Sequence, residues 1–257
     1  MSVLALDFDG VLCDSARETG ITGWKAAGKL WQDMVEDLPP ERLLDAYCRA
    51  RPVIETGYEA ILMMRLLKDG EDPDELLENF PERLPETIER SGVDAQKLKG
   101  LYGAIRDRWI KEDPQGWLSL SPLYPGTVET LHAIPKGVEC YIVTTKEARF
   151  VEQLLAYHSM HFDAARIYGL DRRMKKEAVL RELMVRHTGC PIDFVEDRLG
   201  TLKRLSLQKD LAPVRLHIAC WGYNTETECR EAVALNIHLL RVLSLEQITN
   251  AEYDFDQ

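Results

Sequence analysis

The chain has 257 residues, 45% of them hydrophobic and 29% charged, enough for one large domain or two modest ones with a real core. Its net charge of −11 argues against a nucleic-acid surface, which needs a basic footprint, and against an anionic membrane surface. No stretch approaches ~20 apolar residues, so no transmembrane helix is expected, and the apolar N-terminal run ends at Asp7, too soon for a secretory signal. That run, Val3-Leu4-Ala5-Leu6, predicts a buried strand over about Leu4 to Asp7, leading into Asp7-Phe8-Asp9-Gly10-Val11. Two carboxylates one residue apart then stand at a strand's carboxyl end, where open α/β sheets bind ligands. In extended chain both would leave on one side, and a divalent cation such as Mg²⁺ would relieve their repulsion. Taken alone, the pentapeptide reads equally well as a strand end closed by an Asp-Gly turn.

Ser15-Ala16-Arg17-Glu18 has the S-x-x-E spacing of a capping box and predicts a helix after Ser15. From residue 16 to 121 the text is helical, with few strand-like runs. Pro39-Pro40-Glu41 opens one helix, and Asp72-Pro73-Asp74-Glu75 opens another, with Asp at the cap and Pro first. Pro81 and Pro85 are expected to break this second helix, and Leu98 to Trp109 has helical apolar spacing. Beyond Pro122, strand candidates at 140–144, 165–168, 194–196, 216–220 and 237–242 alternate with helical patterns such as 147–157 and 176–186. Alternation of this kind predicts an α/β fold: a Rossmann-like, mostly parallel sheet with helices on both faces. The expected division is a core of 1–15 and 122–257 with an inserted α-helical domain at 16–121.

Three later stretches carry polar residues at the ends of apolar runs. Glu139-Cys140-Tyr141-Ile142-Val143-Thr144-Thr145-Lys146 ends a strand in hydroxyls, which are more often ordinary β-branched strand residues than ligands. Met174-Lys175-Lys176-Glu177 places lysines at a helix start, where a solvated basic patch is the plainer reading. Ile192-Asp193-Phe194-Val195-Glu196-Asp197 ends in an acidic pair that also suits a helix N-terminus. The six cysteines show no C-x-x-C spacing and are expected to be reduced and mostly buried in a cytoplasmic protein. His158 and His161 have helical spacing, but nothing near them in sequence completes a metal set.

The segment from Asp7 to Ser15 resembles the first motif of the haloacid dehalogenase-like hydrolase superfamily, and the three later stretches resemble its other motifs in order. Thr144, or Thr145 in its place, matches the second. Lys176, or Lys175, matches the third, with Leu180 and Leu183 keeping the usual spacing, although the proline common after this lysine is absent. Glu196-Asp197 matches the fourth. The resemblance implies a Mg²⁺-dependent phosphomonoester hydrolase acting on a small phosphorylated metabolite, with phosphoglycolate and sugar phosphates as first candidates. It makes Asp7 the nucleophile that becomes an aspartyl-phosphate and Asp9 the acid and base. Thr144 and Lys176 would hold the phosphoryl oxygens. Asp7, Asp197, Glu196 and the main-chain carbonyl of Asp9 would hold the metal. An acid at position 9 favours phosphate esters over halide or phosphonate substrates, because an alkoxide needs a proton and a halide does not. The insertion resembles the family's mobile cap, in which Arg49 and Arg51 could fork an anionic group, Glu55, Thr56 and Tyr58 resemble a substrate loop, and Trp109 and Trp117 could form an apolar wall. Each has a plainer structural reading. A mutase of the β-phosphoglucomutase type and a non-catalytic binding protein on the same fold are the alternatives. The sequence leaves the oligomeric state open.

Overall fold

The computed structural model of the chain describes residues 1–249. β1 (Ser2–Leu6) takes up the first apolar run, with Val3 to Leu6 buried. The chain then turns over residues 8–13, where the Phe8 carbonyl accepts from the N–H groups of Leu12 and Cys13 and Gly10 stands at φ 84°. Its contacts divide the chain into two compact units: Ser15–Pro122, and Met1–Asp14 together with the chain from Leu123 onward. The last eight residues of the expected core, 250–257, lie outside the described residues.

The inserted unit is helical: α1 (Ala16–Ala27), α2 (Glu41–Ala50), α3 (Glu59–Lys68), α4 (Pro73–Ser91), α5 (Ala95–Glu112) and α6 (Pro114–Ser119). It buries its own cluster, including Trp24, Tyr47, Ile61, Met63, Phe80, Leu98 and Tyr102. Two expectations fail here. α1 does begin after Ser15, but the Ser15 side chain makes no cap bond. Glu18 instead turns inward, fully buried, and accepts from Arg106, Trp117 and Thr22. Nor do Pro81 and Pro85 break α4, which runs through both. They lie four residues apart on an exposed face, so the carbonyls of Leu77 and Pro81, which lose their N–H partners, sit where water can serve them. Leu76 and Phe80 meanwhile anchor the helix in the core.

The other unit continues with α7 (Thr127–His132), β2 (Val138–Val143), α8 (Ala148–Tyr157), β3 (Ile167–Tyr168), α9 (Lys176–Arg186), β4 (Ile192–Glu196), α10 (Leu199–Ser206), β5 (Val214–Ala219), α11 (Glu226–Ala234), β6 (His238–Leu240) and α12 (Leu245–Thr249). Its six strands form one parallel sheet in the order β3-β2-β1-β4-β5-β6, the fold class the alternating pattern predicts. Val3, Ala5, Val143 and Phe194 pack with Val179, Leu183, Leu202 and Ala232 of α9, α10 and α11, while Leu4, Leu6, Ile142 and Val195 alternate to the opposite face and are equally buried. β1 lies between β2 and β4, so the strand order reverses there and the carboxyl ends of all three strands meet, the position at which such sheets form a binding crevice.

The expectation of reduced cysteines holds only in part. Cys220, just after β5, is disulfide-bonded to Cys229 in α11, while Cys13, Cys48, Cys140 and Cys190 form no disulfide. Nine positions of separation hide the pair from spacing rules, and the β5–α11 loop brings the two sulfurs together. Among the described residues no helix is long and apolar enough to cross a membrane.

Candidate active site

Asp7 follows β1 directly and extends its ladder by one bond, its N–H donating to the Val195 carbonyl. Its carboxylate is 6% exposed and accepts from the Phe8 N–H at 2.7 Å and from Lys176 Nζ at 2.8 Å. Lys176 is the first residue of α9, and the same ammonium lies 2.6 Å from Glu196 Oε2 at the end of β4. Glu196 also accepts from the Arg198 N–H, and the next residue, Asp197, accepts from the Tyr223 N–H at 2.8 Å. Asp7, Glu196 and Asp197 each bring a carboxylate oxygen within 4.8 Å of the others, the one such group found among the described residues.

Burial without enough positive charge shapes the electrostatics. It pushes the Asp7 carboxyl up to about 7, with the Glu196 charge adding to the rise and Lys176 opposing it. Asp197 is also held well above the usual carboxylate range, by burial and then by the charges of Glu196 and Asp7. Glu196 is buried too, yet the charge of Lys176, the hydrogen bonds with Asp197 and Lys176 and the bond from Arg198 outweigh that burial and keep it low. Three acids therefore share one ammonium, a charge excess that suits a hard divalent cation with oxygen ligands. The surrounding backbone is shaped to the acids. A Cβ on Gly10 would fall 2.0 Å from Asp197 Oδ2, and one on Gly222 would fall 2.3 Å from the Gly10 carbonyl oxygen. The site residues fit a divalent cation.

Of the open alternatives, Lys176 reaches the acids, whereas Lys175 is the exposed residue ahead of the helix. Thr144 is buried immediately after β2, and Thr145 is exposed. The Thr144 hydroxyl accepts from the Lys146 N–H, which leaves its own O–H to donate. Asp9 does not join the three-acid group through its side chain. It pairs instead with Lys146, whose Nζ lies 2.9 and 3.3 Å from its two oxygens. Lys146 is the residue that motif reading missed. It stands at the end of the 139–146 segment, but nothing in the spacing tells which way a residue in the turn after a strand points.

Within the helical unit, Arg49 and Arg51 hold different partners. Arg49 is exposed and paired with Asp74, and Arg51 donates to the Ile54 carbonyl at 2.9 Å. The Glu59 carboxylate accepts from the Glu55 and Thr56 N–H groups and from the Thr56 hydroxyl, so this loop serves as the lead-in to α3. Tyr58 is buried beneath the Lys99 ammonium. Trp117 is fully buried and donates to Glu18, which makes it a core residue of that unit.

No protein-family model matches the chain, and no curated protein matches it. Solved structures do. One described as a predicted phosphatase from Clostridium acetobutylicum is 16% identical, covers 93% of each chain and gives a TM-score of 0.55. One provisionally described as a haloacid dehalogenase-like hydrolase, from Bacteroides fragilis, is 20% identical over 94% of this chain and 97% of its own, with a TM-score of 0.56. One described as a predicted phosphoglycolate phosphatase from Haemophilus somnus is 16% identical over 88% of each, with a TM-score of 0.54. At these identities the likeness is one of fold.

Proposed function

We propose that the chain is a Mg²⁺-dependent phosphomonoester hydrolase of the haloacid dehalogenase-like superfamily, working on a small phosphorylated metabolite through a phosphorylated Asp7. The carrying observation is the group of Asp7, Glu196 and Asp197 at the carboxyl ends of adjacent strands, with Lys176 paired to the first two. Asp7, Lys176 and the Glu196-Asp197 pair come from three distant stretches of the sequence, and a structural salt bridge would not need all of them. The fold likeness to chains described as phosphatases supports the reading.

In this mechanism an Asp7 oxygen attacks phosphorus as the bond to the alcohol oxygen breaks, and Asp9 gives that oxygen its proton. Asp9 then takes a proton from water. The water oxygen attacks phosphorus, the bond to Asp7 breaks, and inorganic phosphate leaves with both acids restored. Two easier displacements replace one hard one. Lys176 and the Thr144 O–H stabilise the charge developing on the phosphoryl oxygens, and each such preorganised donor is typically worth about 10²–10³ in rate. When bound, Mg²⁺ supplies the remaining positive charge, held by Asp7, Asp197, the Asp9 main-chain carbonyl and Glu196, the last directly or through water.

The test is a panel of phosphate esters with Mg²⁺, including 2-phosphoglycolate and hexose phosphates. Wild type should release phosphate from at least one, and Asp7→Asn should release none. Equal activity in the two proteins removes Asp7 from the mechanism. Isomerised sugar phosphate without free phosphate assigns the chain to the mutases. No turnover of any ester, with a stable protein partner on pull-down, makes it a binding protein.

A further inference from the structure

Lys146 is a buried cation that the mechanism above leaves without a task, and we propose that it is a positioning residue: its ammonium holds the Asp9 side chain in the orientation needed for proton transfer between Asp9 and the leaving oxygen. The proposal rests on the phosphatase reading and concerns a residue that the motif match did not select.

The support is geometric. The Lys146 side chain is 3% exposed, and its Nζ lies 2.9 Å from Asp9 Oδ1 and 3.3 Å from Oδ2, so it grips both oxygens. Its main chain is fixed on both sides, because its N–H donates to Thr144 Oγ1 at 3.1 Å and its carbonyl accepts from Leu170 N–H at 3.0 Å. A lysine normally carries large rotamer freedom. Here burial and these two bonds restrict that freedom. Asp9 is in the opposite situation. It lies in the turn after β1, bridged to Cys13, and its side chain is 22% exposed. The other ammonium of the site, Lys176, is committed to Asp7 and Glu196. The turn after β2 thus delivers two groups at once, the Thr144 hydroxyl and, two residues on, the clamp on Asp9. An acid must be aimed at the leaving oxygen to act, and an aimed proton donor contributes about 10²–10⁴ in rate.

The proposal predicts an effect that scales with the leaving group's need for a proton. Nitrophenolate departs unprotonated, whereas phenolate, more basic, gains from an acid. Lys146→Met, with Lys146→Gln as a second variant, is to be assayed with Mg²⁺ on p-nitrophenyl phosphate and phenyl phosphate, with thermal melts to confirm folding. Expected is a fall in kcat of about 10²-fold for phenyl phosphate, less than about tenfold for p-nitrophenyl phosphate, and KM within about twofold of wild type for both. A crystal structure of the variant should show the Asp9 carboxylate rotated from its wild-type position. Equal loss on both esters, a loss confined to KM, or an unmoved Asp9 overturns the proposal while leaving the phosphatase reading intact. A wild-type chain that turns over no ester overturns that reading and the proposal with it.

Discussion

Gly222 packs so closely that an added methyl group would meet both the Gly10 carbonyl, at 2.3 Å, and Asp197 Cβ, at 2.4 Å. Gly222→Ala should therefore displace Asp197 without replacing any acid. We expect Mg²⁺ affinity to fall about 10–100-fold by calorimetric titration, as for other residues that orient a ligand, with the far-ultraviolet circular dichroism unchanged. Lys176→Met should lower kcat about 10²–10³-fold in a steady-state assay on any ester that wild type turns over. Most of these residues could be read in the sequence because each sits at the boundary of a regular element: Asp7 after β1, Thr144 after β2, Lys176 opening α9, Glu196 closing β4. Leu180 and Leu183, buried in α9, fix the register that separates Lys176 from Lys175. Lys146 and Gly222 lie within turns, where no period relates position to direction, so their contacts became visible only in three dimensions.

At the scale of elements, the helical unit shows how local patterns mislead when tertiary contacts compete. Ser15-x-x-Glu18 has the spacing of a capping box, but Glu18 contributes its carboxylate to a buried set with Arg106, Tyr102 and Trp117. Arg106→Met leaves that carboxylate buried without its guanidinium, and denaturant melts should show a loss of about 3–5 kcal/mol. The prolines of α4 mislead in the other direction. Pro81→Ala restores an N–H to the Leu77 carbonyl and should raise stability by about 1–3 kcal/mol, the helix gain being partly offset by the freer unfolded chain. A broken helix at Pro81 would give no gain. Arg83 also braces α4, donating from two nitrogens to Glu71, whose pKa is lowered chiefly by that bond. A carboxylate with a depressed folded pKa contributes stability above its unfolded pKa and loses it as pH falls through the folded one. Arg83→Gln should thus cost about 0.2–1 kcal/mol at pH 7, and the difference from wild type should vanish in acid below that depressed pKa.

At the scale of the whole molecule, the alternation of strand and helix after Pro122 was enough to give a parallel sheet, since each crossover must be long enough to return the chain in the same direction. The order β3-β2-β1-β4-β5-β6 was not contained in that alternation, and it is this order that brings Asp7, Thr144 and Asp197 to one crevice. The Cys220–Cys229 disulfide was equally invisible, although it closes the loop carrying Tyr223 and Asn224, both hydrogen-bonded to Asp197. Because the cation would bind the folded chain and not the unfolded one, Mg²⁺ at 100 times its Kd should add about 2.7 kcal/mol to the unfolding free energy, and a chelator should remove it. Asp197→Asn should show little of either effect. The central claim, that Asp7 carries the phosphoryl group, is tested most directly by treating the enzyme with borohydride during turnover, which reduces an aspartyl-phosphate to homoserine, and sequencing the tryptic peptide Met1–Arg17 by mass spectrometry. The account predicts homoserine at position 7, dependent on Mg²⁺ and substrate; phosphate release with an unaltered residue 7, or with the reduced residue elsewhere in the chain, would contradict it.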